Sequence, residues 1–433
     1  MDRETAMASE LLEIAKATKV AESEPLDMQS FSYGGQYYSI DWAAHPTYQS
    51  LPKELLAYSK AEKRCSVEYT TRLLQDLIVI LVLQASRSTI DIDDTRPMIV
   101  DLLETLSHPW PERTVLHELH GVIFFGKVRP FAIAGARVAR FTSRDRARLT
   151  ALYKSRGKRF SDDEKRDEFL ALVKNRLDFL AIQAVVWCTY AAEGMRAEEL
   201  SLDTMHWVVI LFRYAYMSVS HSNGKTAIGI APLQTPANLV IAKDRVGNSY
   251  FDSAVRPREP LDYFLVFPST RAKMQKAGVF VLSSILGESD NGRTLAPGSF
   301  KFALIQALRW TVDSLDQTNN ASKMLAMTVG LETLFSEESV NLTSQVADGT
   351  AMVLARNPVK REKISKKMKD LYGTRSAVTH GRKESVPDAD VVDLQEKVTS
   401  VISVLCRHVN DYPLLSDFWR SISLAKRSGQ LFK

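Results

Sequence analysis

Cysteine is scarce in this chain. Cys65, Cys188 and Cys406 are the only three, far apart and odd in number. They exclude a disulfide framework and fit a reducing cytosol. Long apolar runs are missing too. "LIVILVL" (Leu77 to Leu83) is too short to span a bilayer, and "FLAIQAVVWCTYAA" (Phe179 to Ala192) carries Gln183 and polar flanks. Both read as buried core helices, so no membrane contact is expected. The opening segment, "MDRETAMASELLEIAKATKVAESEP", lacks the basic and apolar regions of a signal peptide. The expected location is cytoplasmic. There is no low-complexity tract and no repeat at solenoid or propeller periods. The formal charge of +5 is too small to argue for nucleic acid by itself, so the distribution of charge has to be read instead.

Familiar site motifs are also absent. His117 and His120 stand in "HELH", where two His at i and i+3 can share a helix face. Metalloprotease spacing would be HExxH, and no Cys or Asp cluster completes a ligand set. A structural role is expected for them, with no metal and no cofactor. "SNGKT" (Ser222 to Thr226) lacks the upstream Gly and the strand–helix setting of a P-loop.

What is present is a globular composition, 45% apolar and 25% charged, in a chain too long for one ordinary core. The fold class expected is mainly α. Residues 1–225 read as a mixed, mostly helical region, with Leu55 to Ala85, Glu168 to Ala192 and Leu202 to Ser220 as long helices. "HGVIFFGKVRPFAIAGARV" allows a hairpin through its β-branched and aromatic content. Residues 226–295 read as a small β-rich segment and linker, with "NLVIA", "YFLVF" and "GVFVLSSIL" as short strands. Residues 296–433 read as an antiparallel helical bundle with short loops and a tail. Ser299 can cap its first helix, Asn357-Pro358 separates the third from the fourth, and Pro387-Asp388 opens the fifth.

The fourth of these helices is dense in cations, including Lys366, Lys367 and Lys369, and runs on to Arg382 and Lys383. A charge run alone is usually a solvated face. This one ends in "LYGTRSAVTHGR", with Arg375 and His380 five positions apart and Gly381 placed to stop the helix. A neutral imidazole can take the proton of an RNA 2′-hydroxyl, and a guanidinium can stabilise charge on the phosphate. On an ideal helix five residues turn about 140° past one full turn and rise about 7.5 Å. The two side chains therefore meet one phosphate only at a distorted helix end, or where two copies face each other. The second option predicts a homodimer with a composite site.

From Trp310 onward the chain resembles the HEPN superfamily, in its ApeA-like branch. "VGLETLF" (Val329 to Phe335), "SQVADGTAMVLA" (Ser344 to Ala355) and "RSAVTH" (Arg375 to His380) carry the resemblance, which covers under a third of the chain. It implies a dimeric helical bundle acting as a metal-independent endoribonuclease in prokaryotic defence against phage or in growth arrest. His380 would be the proton-transfer residue, Arg375 the phosphate binder and Ser376 a polar helper. Glu332, the acid of the "LE" phrase, would hold Arg375 in place. A regulatory protein or a phage-derived trigger would be a partner, and the region before the bundle a sensor or regulator. The alternative is a non-catalytic HEPN-like scaffold for RNA binding or dimerisation.

A second basic stretch runs from Arg137 to Arg159 and includes Arg144, Arg146 and Arg148, interrupted only by Asp145. It could grip RNA phosphates, with Phe141, Tyr153 and Phe160 available for stacking. Those aromatics could equally anchor a surface helix.

Overall fold

The computed structural model describes residues 2–21, 30–33, 36–41, 44–86, 89–157, 163–180, 184–220, 226, 228–229, 239–241, 264–337, 341–379 and 385–428. The chain is mainly helical, with a small β component before the C-terminal helices. It divides into two compact units.

The first unit comprises Met1–Val115, Thr189–Leu202 and Val240–Ser249. Its elements are α1 (Arg3–Lys16), β1 (Thr18–Ala21), β2 (Ser30–Tyr33), β3 (Gln36–Ile40), α2 (His45–Ser59), α3 (Val67–Ala85) and α4 (Ile92–Ser107). Local sequence sets the helix starts. Asp2 and Ser66 accept from backbone N–H groups three residues on, and Asp91 and Asp94 cap each other reciprocally. The strands form an antiparallel sheet ordered β1-β3-β2. Leu11, Ile14, Leu55, Leu74, Ile78 and Leu106 fill the core. Leu55 to Ala85 is not one helix. Lys60 adopts φ 55°, ends α2, and Ser66 starts α3 afresh.

The second unit comprises Leu116–Cys188, Asp203–Leu239 and Tyr250–Lys433. Strand β4 (Glu112–Leu119) leads into it, followed by β5 (Val122–Phe124), β6 (Phe131–Ile133), β7 (Ala136–Arg140), α5 (Ser143–Gly157), α6 (Asp163–Leu180), β8 (Ala184–Ala191), α7 (Gly194–Ser220), β9 (Leu239–Ile241), β10 (Phe264–Val266), α8 (Pro268–Lys276) and α9 (Val279–Glu288), of which the end of β8, the first part of α7 and most of β9 belong to the first unit. β6 and β7 make the expected hairpin, turning at Ala134-Gly135, both with positive φ. β8 lies antiparallel to β7, Val186 opposite Val138. β10 runs parallel to β5.

Three expectations need correcting here. "AVVWCTYA" is strand β8, not the second half of a long helix. A short apolar run has no readable period, and here its β-branched and aromatic content decides. "HELH" lies on β4 and the residue after it, so His117 and His120 share no helix face. "GVFVLSSIL" is helix α9, whose buried Val279, Leu282, Ile285 and Leu286 recur at helical spacing. Gly278, at φ 83°, begins it, and an added Cβ there would lie 2.6 Å from Cys406 Sγ.

The C-terminal helices are α10 (Phe300–Asp313), α11 (Asn320–Phe335), α12 (Leu342–Leu354), α13 (Pro358–Thr379), α14 (Asp388–Cys406) and α15 (Leu415–Ser428), with a short 3₁₀ turn after α10. The tail is thus helical as well. Ser299 caps α10 by accepting from Phe302 N–H at 3.2 Å. Asn357 does the same for α13, accepting from Val359 and Lys360. Asn320 ties the start of α11 to the start of α14 through Val386 O and Asp388. Leu304, Leu308, Met327, Leu331, Leu394 and Val398 are fully buried in this bundle. No helix among the described residues is long and apolar enough to cross a membrane.

Candidate functional site

Helix α13 buries Met368, Leu371 and Tyr372 and leaves most of its cations outside. Arg375 falls three residues after Tyr372, at the edge of that buried stripe. Its guanidinium lies 3.6 Å from the Glu332 carboxylate on α11. Both side chains are partly covered, Arg375 27% exposed and Glu332 19%.

Tyr372 completes the arrangement. Its hydroxyl donates to Glu332 Oε1 at 3.3 Å and lies 3.4 Å from Thr328 O. The Arg375 guanidinium carbon sits 5.9 Å from the centre of the Tyr372 ring, within cation–π range. Burial, then the Glu332 carboxylate beside it, pushes the phenol far above its ordinary value, with Arg375 acting against the shift. The phenol therefore keeps its proton and serves as a donor. One cation is thus held by a carboxylate and an aromatic face, while part of it still reaches water. This arrangement can receive an anion without having to order the side chain first.

The structure brings Arg375 and Glu332 together. Ser376 is exposed on α13. His380, Gly381, Arg382 and Lys383 lie outside the described residues. Tyr372 was missed in the sequence reading, although its place one turn before Arg375 was there to see.

The cations of α13 divide by face. Lys366 is exposed. Lys367 bridges Asp390 and Asp393 on α14, each at 3.2 Å. Burial draws its pKa down, but the two carboxylates together raise it above the ordinary value. Lys369 lies 4.0 Å from Asp348 on α12, which also binds Lys426 and accepts from Ser365 Oγ. Lys367 thus joins α13 to α14, where its charge is largely answered, while Lys369, half exposed, shares Asp348 with Lys426.

Arg144 and Arg148 are exposed on α5, and Arg146 is half-buried. Asp145, the one acid of that stretch, accepts from Thr142 N–H at 3.0 Å at the start of α5. Phe141 and Tyr153 are buried and unavailable to a base, so they anchor the helix. Phe160 lies outside the described residues. A cavity of about 410 Å³ lies between α5 and α6, lined by Arg146, Tyr153, Val173, Lys174 and Leu177 among others. No group of three or more His, Cys, Asp or Glu among the described residues could hold a metal.

No family model, no curated protein and no solved structure matches the chain.

Proposed function

We propose that this chain is an endoribonuclease of the HEPN superfamily, ApeA-like branch, serving a prokaryotic defence or growth-arrest system. The observation that carries the reading is Arg375, a half-covered guanidinium held by Glu332 and laid over Tyr372, five residues before His380 in the sequence. In the reaction His380 takes the proton of the RNA 2′-hydroxyl, and that oxygen attacks the adjacent phosphorus. Arg375 pairs with the non-bridging oxygens as charge builds on them. The P–O5′ bond breaks, the leaving oxygen takes a proton from solvent water, and the His380 imidazolium returns its proton to solvent. The products are a 2′,3′-cyclic phosphate and a 5′-hydroxyl end. Ser376 and the exposed Lys366, with Arg382 and Lys383, are assigned to the RNA strand around the cut. A second copy of the bundle supplies the facing half of the site, one of the two arrangements that let Arg375 and His380 meet one phosphate.

The test compares wild type with His380→Ala and Arg375→Ala on total RNA and on a defined structured RNA, scoring cyclic-phosphate ends. Cleavage is expected from wild type alone. Equal cleavage by wild type and His380→Ala sinks the assignment. Binding without cleavage by wild type, even with a trigger present, favours the scaffold reading.

A further inference from the structure

Phe125 and Phe267 are both exposed, at 42% and 41%. Large aromatics left in water on a folded surface ask for an occupant. These two are stacked on each other, with ring centres 5.2 Å apart and planes 19° apart. Phe125 immediately follows β5 and Phe267 immediately follows β10. The parallel pairing of those strands, with Phe125 N–H donating to Val266 O at 2.9 Å, sets the rings side by side. Leu265, also exposed, extends the apolar surface. Beside Phe125, an added Cβ on Gly126 would meet nothing within 4 Å, so the space there is open.

The segments that carry the rings bear charge of one sign. Residues 120–144 and 264–287 contain no Asp or Glu, in a chain that has 51 of them. Lys127, Arg129, Arg271 and Lys273 are exposed on these segments. None of Lys127, Arg129 and Lys273 is ion-paired with a described residue. Phe267 also stands at the N-cap of α8, whose first turn carries no acid. The positive end of that helix dipole is directed to the same surface. An aromatic pair carried on two segments whose only charges are cations suits a polyanion whose subunits present flat faces.

We propose that Phe125 and Phe267 form a stacking platform for single-stranded RNA, with Lys127, Arg129 and Lys273 on its phosphates. The inference rests on the RNA reading above and adds to it a gripping surface outside the Arg375 helix. The platform is attached to the bundle. The fully buried Tyr214 donates to Ala277 O at the end of α8 and lies 3.2 Å from Thr399 O on α14. Ser403 on α14 donates to Lys276 O at 2.7 Å. RNA held on the platform is therefore held on the element that packs against the bundle, not on a tether.

The test is fluorescence anisotropy with a labelled 2′-O-methyl oligonucleotide, which lacks the nucleophile and stays intact. Phe125→Leu/Phe267→Leu keeps the apolar surface and removes both π faces. It is expected to weaken binding about fivefold or more, the lower end of what a base stacked on an aromatic ring contributes. Phe125→Trp should bind like wild type, with its indole emission quenched by the base. Lys127→Glu/Arg129→Glu should weaken binding and flatten its salt dependence. Thermal unfolding controls for folding, which exposed positions should barely change. If wild type binds and the Leu pair binds equally, the platform is refuted, the RNA reading survives, and the patch passes to a protein partner. If wild type binds no RNA in any sequence, both readings fall together.

Discussion

Glu332→Gln is the sharpest probe of the Arg375 site. The substitution keeps the shape and leaves an amide oxygen to accept from Tyr372; it removes the charge that faces Arg375 at 3.6 Å. At that separation, in a surface-like medium, the gross attraction is about 4–5 kcal/mol. Both groups still reach water, and desolvation and ordering offset most of it, leaving about 1 kcal/mol of net stability. The urea midpoint should fall by a correspondingly small amount. Catalysis should suffer more. An untethered Arg side chain regains up to about 2 kcal/mol of rotamer entropy that must be lost again in the transition state. A kcat decrease of about tenfold follows, corresponding to about 1.4 kcal/mol.

KM separates this account from simple damage. In the proposed reaction Glu332 competes with phosphate for the same guanidinium, so its neutralisation should leave KM unchanged or lower it. Tyr372→Phe removes the hydroxyl that steadies Glu332, and should lower kcat by a smaller factor. Because that hydroxyl acts through Glu332, the double variant should be little worse than Glu332→Gln alone. Steady-state cleavage of a short fluorogenic RNA measures all four proteins. A wild-type kcat for Glu332→Gln, or a raised KM at constant kcat, refutes the positioning role.

Two glycines predict opposite responses to one change. Gly349→Ala should cost about 2 kcal/mol by urea titration, because its Cβ would lie 2.4 Å from the Phe335 ring and overpacking outweighs the better helix former. Gly373→Ala, exposed on α13 with nothing within 4 Å, should stabilise by up to about 1 kcal/mol. At high pH, burial matters: it pushes the thiol of Cys65 up to about 11 and those of Cys188 and Cys406 up to about 12. The unfolded chain then ionises first, so stability is whole below pH 9 and declines as pH rises toward 11–12. Rapid reaction of the native thiols with a disulfide reagent at pH 8 would contradict this. At low pH the signs reverse: burial works to raise Asp348 and Asp393, but their lysine partners outweigh it and hold both below the ordinary 3.8. Their contribution is present above that value and vanishes as pH falls through the lowered one. Asp393→Asn should remove part of that acid-dependent loss, as seen in urea midpoints between pH 5 and 2.

The C-terminal helices were legible because their ends are written in single residues. Ser299, Asn357-Pro358 and Pro387-Asp388 each mark a start that backbone chemistry enforces. The region before them was legible only where the signal is equally local, as in the β6–β7 hairpin. "AVVWCTYA" and "GVFVLSSIL" were exchanged, strand for helix, because burial on several sides hides periodicity. At the candidate site, Glu332 and Arg375 were named from phrasing, whereas Tyr372 emerged only from packing between α11 and α13. The aromatics of the basic stretch misled in the opposite direction. Phe141 and Tyr153 sit among arginines in sequence and are buried in space. Phe125 and Phe267 lie far apart in the chain, and only strand pairing shows that they form one surface.

Position at the site is inherited from packing elsewhere in the bundle. Glu332 lies on α11 between two close contacts. An added Cβ on Gly330 would sit 3.1 Å from Ala307 O and Thr311 Oγ1 on α10. One turn past Glu332, the Phe335 ring lies against Gly349 of α12. α11 is thereby fixed against two neighbours at near-backbone distance, where small shifts are costly. The carboxylate it carries is correspondingly fixed, and through it the guanidinium of Arg375. A guanidinium anchored in this way would meet the proposed phosphate at a set place, whereas the lysines of the same helix are either exposed or paired within the bundle. This difference, more than the number of cations on α13, is why the site is assigned to Arg375.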